Sequence, residues 1–225
     1  MKLNLNTFNQ VDIYPKWGKM ITEKQLNIMK VFKKDLLKEI SFTNLKKELK
    51  ESSTSKLQRA VLKLKEENLI KTKKIGKSIL ISLNYENNKL FGYLLIFNFE
   101  HNKKIPFEVL YKIQNEILKE TEFFSLVVFG SYASGNSAKK SDLDIAVIVE
   151  NEMLRKKIIP RINSVKRKEM VDIQEQIILR DEFLEMLKDE KENLGKEIVR
   201  NHFVFYGIIN FYKLIFKGAQ NVRFN

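Results

Sequence analysis

The stretch from Phe123 to Val149 constrains this chain more than any other. Phe123 to Phe129 is apolar and β-branched enough for a buried strand, and it ends on Gly130-Ser131. Small residues follow from Tyr132 to Ala138, then Lys139-Lys140-Ser141, and Asp142-Leu143-Asp144 opens a second apolar run to Val149. Alternation along a strand puts Asp142 and Asp144 on one face, with Leu143 and Ile145 on the other. Two neighbouring carboxylates repel each other, and a hard divalent cation with oxygen ligands removes that cost. A glycine at the strand end allows close backbone approach, and a helix starting after it offers free N–H groups and a positive dipole end. The Ser131 hydroxyl adds one more hydrogen bond. Phosphate donors and metal ligands brought into one cleft suit phosphoryl or nucleotidyl transfer, where charge developing on the phosphate must be neutralised.

The segment Phe129-Gly130-Ser131-Tyr132-Ala133-Ser134-Gly135 through Ser141-Asp142-Leu143-Asp144 resembles the DNA polymerase β-like nucleotidyltransferase superfamily. Within it, the segment is similar to the minimal nucleotidyltransferases common in archaea and bacteria. The resemblance implies that Gly130 and Ser131 contact a nucleoside triphosphate, with ATP the first candidate. It also implies that Asp142 and Asp144 hold two Mg²⁺ ions, which Mn²⁺ can replace. A third carboxylate on a neighbouring strand would complete the metal site and help activate the attacking hydroxyl. Met170 to Leu179 reads as that strand, and Asp172 opposes Val171 and Ile173 in alternation, so it faces the cleft while they enter the core. Glu175 shares the parity of Val171 and Ile173 and is the poorer choice unless a bulge intervenes. The family frequently has Arg four residues after the motif's glycine. This chain has Ser134 there, so triphosphate binding leans on Lys139 or Lys140 or is weaker.

Charge divides the chain. Residues 1–90 hold 20 basic and 9 acidic residues, a net +11 of the +13 overall, whereas the remainder is close to neutral. So uneven a split suggests two modules, the first facing a polyanion.

Residues 22–83 read as three helical stretches and a hairpin. Thr22 and Gln25 have capping-box spacing, and Leu26, Met29, Phe32 and Leu36 follow at steps of three or four. A shorter helix starts near Ser41 or Thr43 and runs to Leu49. A third begins in the run Ser52 to Ser55, where any hydroxyl can cap it. Its residues Leu57, Ala60, Val61 and Leu64 form one apolar face, and Lys56, Arg59 and Lys63 form a second, basic stripe. Two β-rich segments across Gly76-Lys77 make the hairpin, with Lys73, Lys74 and Lys77 at its tip. This pattern resembles the winged helix-turn-helix family, with residues 54–68 as recognition helix and 70–83 as wing. The resemblance implies binding of double-stranded DNA through Ser55, Lys56, Arg59, Lys63, Lys73, Lys74 and Lys77.

Elsewhere, Leu90 to Phe99 reads as a short buried helix between the modules, and a further helix runs from Pro106 to Glu120. The basic run Arg161 to Lys168 reads as a loop touching a substrate phosphate or nothing. His101 and His202 stand apart, without a ligand pattern. Phe211, Tyr212 and Phe216 read as a packing or dimer stripe rather than a base-stacking platform. The chain has no cysteine, so disulfides, thiolate metal sites and cysteine nucleophiles are excluded. No signal peptide and no apolar run of about 20 residues is visible, so a cytoplasmic, non-membrane protein is expected.

The expectation is an α/β (α+β) protein with a winged helix-turn-helix domain over 1–88, connecting helices over 89–120 and a nucleotidyltransferase domain over 121–225. The last has a small mixed sheet flanked by helices. Its activity would be Mg²⁺-dependent transfer of a nucleoside monophosphate to a hydroxyl of a protein, such as a partner toxin, or of a nucleic acid. The alternative is a DNA-binding regulator or antitoxin whose transferase domain only senses nucleotide. A homodimer is compatible with either.

Overall fold

A strand buried on both faces must be apolar at every position, and Ser125–Val128 (β4) and Leu143–Val149 (β5) come close to that pattern. In the computed structural model, which describes residues 21–33, 35–99, 105–138 and 141–222, they form the centre of a four-stranded sheet. Its edges are Ile173–Leu179 (β6) and Phe203–Tyr206 (β7), in the order β6-β5-β4-β7. β5 and β6 are parallel, while β4 pairs antiparallel with both β5 and β7, so the sheet is mixed.

Alternation sorts its side chains between two cores. Leu126, Val128, Leu143, Ile145, Val147 and Ile173 pack against Phe107–Leu118 (α5) and Glu152–Lys166 (α7). Val127, Phe129, Ala146, Ile148, Ile178 and Val204 face Arg180–Lys188 (α8), Leu194–Arg200 (α9) and Ile208–Val222 (α10). Phe211, Tyr212 and Phe216 are buried in this second core, so the aromatic stripe of α10 serves the chain's own packing.

The helix α7 corrects the expected loop over Arg161 to Lys168. Asn151 caps it by accepting from Leu154 N at 3.0 Å, and Ile158, Ile162 and Val165 bury one stripe against α5. Pro160 sits inside this helix, where it removes one backbone donor. Burial of the stripe, together with Arg161 ion-paired to Glu116 of α5 and to Glu120 just beyond its end, outweighs that loss.

Before the sheet lie Glu23–Lys30 (α1), Ile40–Ser41 (β1), Phe42–Glu48 (α2), Thr54–Glu66 (α3), Ile70–Ile75 (β2) and Ser78–Leu83 (β3). The Thr22–Gln25 capping box is formed, Ser41 caps α2, and Ser53 is the hydroxyl that caps α3. The hairpin β2–β3 gains a third strand, β1, giving a sheet in the order β1-β3-β2. A two-residue strand leaves no periodicity to read, so β1 has no sequence signal. Helix α1 ends at Lys30, yet Phe32 and Leu36 beyond it are still buried.

The second core continues from the sheet into this N-terminal part. It runs from Ala146 and Phe211 through Leu90, Leu94 and Phe97 of Lys89–Phe99 (α4) to Ile28, Leu57 and Leu64. The buried Asn98 of α4 donates to Val204 O at 2.7 Å and accepts from Val204 N at 2.8 Å, occupying the outer edge of β7. Covering an edge strand removes a row of open backbone groups that would otherwise template aggregation.

Candidate active site

The turn after β4 brings two distant parts of the motif into contact. Gly130 has φ +65°, a left-handed conformation that favours glycine. A methyl group built on it would fall on Asp144 Oδ2 and lie 3.1 Å from Asp144 Cγ. The carboxylate of β5 therefore rests directly against the glycine backbone, and Phe129 N donates to Asp144 O at 3.0 Å. Gly130–Ser134 forms a single helical turn (α6) with no capping side chain, closed by Gly135 in the left-handed region. Asn136 N donates back to Ser131 O at 3.0 Å, which fixes the loop leading away from Ser131.

Asp144 is half-buried and Asp142 lies just ahead of β5. Burial first, and then the negative charges of Asp142 and Glu197, raise the Asp144 carboxyl above its ordinary range. This clustering of like charge is what a bound cation would relieve. Glu197 lies in the first turn of α9 and had no signal in the sequence. It is 53 positions from Asp144, and only the placement of β7 beside β4 brings α9 to this end of the sheet.

The neighbouring strand carries the remaining carboxylates. β5 and β6 run in parallel register with Asp144 opposite Gln174, and Leu143 N donates to Asp172 O at 2.7 Å. Asp172 stands just ahead of β6, so in-register alternation puts Asp142, Asp144, Asp172 and Gln174 on one face of the sheet. Asp172 is exposed, and Gln174 Nε2 donates to its Oδ2 at 3.5 Å. Glu175 points the other way and is ion-paired with Lys166 of α7. Among the described residues, no three His, Cys, Asp or Glu side chains converge on one metal position. Mg²⁺ is commonly held by one or two carboxylates and substrate phosphates rather than by an all-protein cage, so the pair Asp142–Asp144 fits such an ion by its donor chemistry. Lys139 and Lys140 lie outside the described residues, as does His101.

Residues 111–208 match the family model described as "Polymerase beta, Nucleotidyltransferase". That match supports a nucleotidyltransferase domain here. It begins in α5, takes in all four strands of the sheet and ends at the start of α10. No curated protein matches the chain.

The second set of sequence-predicted residues lies apart from this corner. Ser55, Lys56, Arg59 and Lys63 are exposed on α3, and Lys73, Lys74 and Lys77 on the β2–β3 hairpin. Among the described residues, none of these six cations forms an ion pair. Among the described residues, no helix is long and apolar enough to cross a membrane. His202 is no ligand: its Nδ1 lies 2.9 Å from Val199 O and its Nε2 3.2 Å from Tyr212 Oη, and burial pulls its pKa down to about 4.

Proposed function

We propose that the chain transfers a nucleoside monophosphate from a nucleoside triphosphate, ATP in the first instance, to a hydroxyl of a protein or nucleic-acid acceptor. The observation that carries this reading is the seating of Asp144 against Gly130 with Asp142 beside it, inside a stretch that matches nucleotidyltransferases. Gly130 and Ser131 would bind the triphosphate tail through backbone N–H groups that no side chain caps, and the Ser131 hydroxyl would orient it. Asp142 and Asp144, with Asp172 as third ligand, would hold Mg²⁺ or Mn²⁺. Such ions neutralise charge on the transferring phosphate. Asp172 would accept the proton of the attacking hydroxyl, and pyrophosphate would leave.

The N-terminal part reads as a winged helix-turn-helix binding double-stranded DNA. Support comes from three helices followed by a hairpin, and from the exposed, unpaired cations on α3 and the hairpin tip. Such a surface gives salt-dependent binding through phosphate contacts. The exposure of Asp172 and the want, among the described residues, of a converged third carboxylate favour a second reading, a DNA-binding regulator or antitoxin that senses nucleotide without turnover. Incubation with labelled NTPs, Mg²⁺ and candidate acceptors decides between them. Label transfer abolished by Asp142→Ala supports the enzyme, whereas nucleotide binding without transfer supports the sensor. Lys56→Glu with Arg59→Glu should abolish duplex binding and leave nucleotide binding intact. Unchanged duplex affinity would overturn the groove-reading assignment.

A further inference from the structure

At the end of the sheet away from Gly130, ~16 Å along β5 from Asp144 at about 3.3 Å per residue, a cavity of about 280 Å³ opens beside α10. Buried Phe124, Ile148 and Leu214 provide apolar walls, and Phe123, 67% exposed, lies at the same cavity. Two of its cations come from α10: Lys213 and Lys217 stand four residues apart on one helix face. Arg180 contributes a third cation from the first position of α8. None of the three forms an ion pair with a described residue, although Lys213 Nζ lies 5.9 Å from the Phe91 ring centroid. Glu150 is the one carboxylate among the described lining residues, so their charges leave an excess of positive charge.

Unpaired cations around an apolar pocket repel one another until an anion joins them, and apolar walls reward an anion with a flat hydrophobic body. The exposed Phe123 ring offers such a body a stacking surface. The volume lies just below the ~300–1,000 Å³ usual for small-molecule sites, which admits a molecule of mononucleotide size at most and not a polymer. We propose that this cavity binds a small aromatic phosphate ester, of mononucleotide size, with its phosphate between Arg180, Lys213 and Lys217 and its ring against Phe123. This site is independent of the carboxylate corner and does not rest on the transfer reaction.

Equilibrium dialysis of the full chain in EDTA against adenosine 5′-monophosphate, adenosine and inorganic phosphate tests it. The expected result is saturable binding of the monophosphate, weaker binding of both fragments, and about tenfold weaker binding in Lys213→Glu/Lys217→Glu, or about 1.4 kcal/mol. Phe123→Ala should weaken the monophosphate and spare inorganic phosphate, and the saturable binding measured in EDTA should persist in Asp144→Asn. Thermal melting of each variant establishes that it is folded. Three outcomes overturn the proposal: no saturable binding, binding lost in Asp144→Asn but kept in the lysine variants, or capture of an acidic peptide at these lysines while the monophosphate does not bind.

Discussion

Replacing Gly130 by alanine attacks the contact on which the candidate active site depends. The new methyl would fall on Asp144 Oδ2 and sit 3.1 Å from Cγ and 3.4 Å from Cβ, so the carboxylate must swing away from the turn. The positive φ of +65° adds a backbone penalty of about 1–2 kcal/mol for any residue with a Cβ. In a chain this long that corresponds to a melting-temperature loss of roughly 2–4 °C per kcal/mol. Displacing a catalytic carboxylate by about 1 Å typically removes about 10²-fold of rate. Gly135→Ala separates the two effects, because Gly135 also has a positive φ (+79°) but open space where its Cβ would go. Both variants should melt earlier, Gly130→Ala by at least as much as Gly135→Ala, and only Gly130→Ala should lose the larger part of label transfer and of Mg²⁺-dependent nucleotide binding. Equal activity losses in the two variants, or wild-type transfer by Gly130→Ala, would refute the assignment of Asp144 to a site built on that glycine.

Other parts of the chain give independent tests. His202 has its folded-state pKa pulled down to about 4 from an ordinary 6.5, so its contribution to stability is intact above pH 6.5 and is lost as pH falls toward 4. Each tenfold difference in proton affinity between the unfolded and folded states is worth about 1.4 kcal/mol. Denaturant titrations at pH 7 and pH 5 should therefore show about 2 kcal/mol more acid destabilisation in the wild type than in His202→Gln. Asn98→Leu would leave both backbone groups of Val204 without their partner on the outer edge of β7. It should cost about 2–4 kcal/mol and speed hydrogen exchange of the Val204 amide. Mg²⁺ should raise the melting temperature of the wild type, and this gain should vanish in Asp144→Asn, since removing one charge removes the repulsion with Asp142 and Glu197 that the cation relieves.

Several elements were legible because their signal is local. The Thr22–Gln25 box, the caps of α2 and α3 and the Gly76 hairpin each lie within a few residues, where spacing maps directly onto hydrogen bonds. The stripe Leu57, Ala60, Val61 and Leu64 was equally plain and is buried as its period required. The expected loop at Arg161 to Lys168 failed for the opposite reason. Pro160 argues against a helix interior, and the packing across the α5–α7 interface, the buried Ile158, Ile162 and Val165 with Arg161 paired to Glu116 and Glu120, explains why one forms.

The amino-acid order by itself determined the strand that stops at Gly130-Ser131, the Asp142–Asp144 alternation, the basic stripe of α3 and the lysines of the hairpin tip. Each follows from backbone periodicity and side-chain chemistry over a handful of positions. Tertiary structure alone decided that β7 pairs with β4, that α9 sets Glu197 near Asp144, and that Asn98 reaches Val204 across 106 positions. It also joined the N-terminal helices to the sheet through one continuous core. The physical reason is that pairing between distant segments depends on how whole faces fit together, and no local period encodes which face meets which.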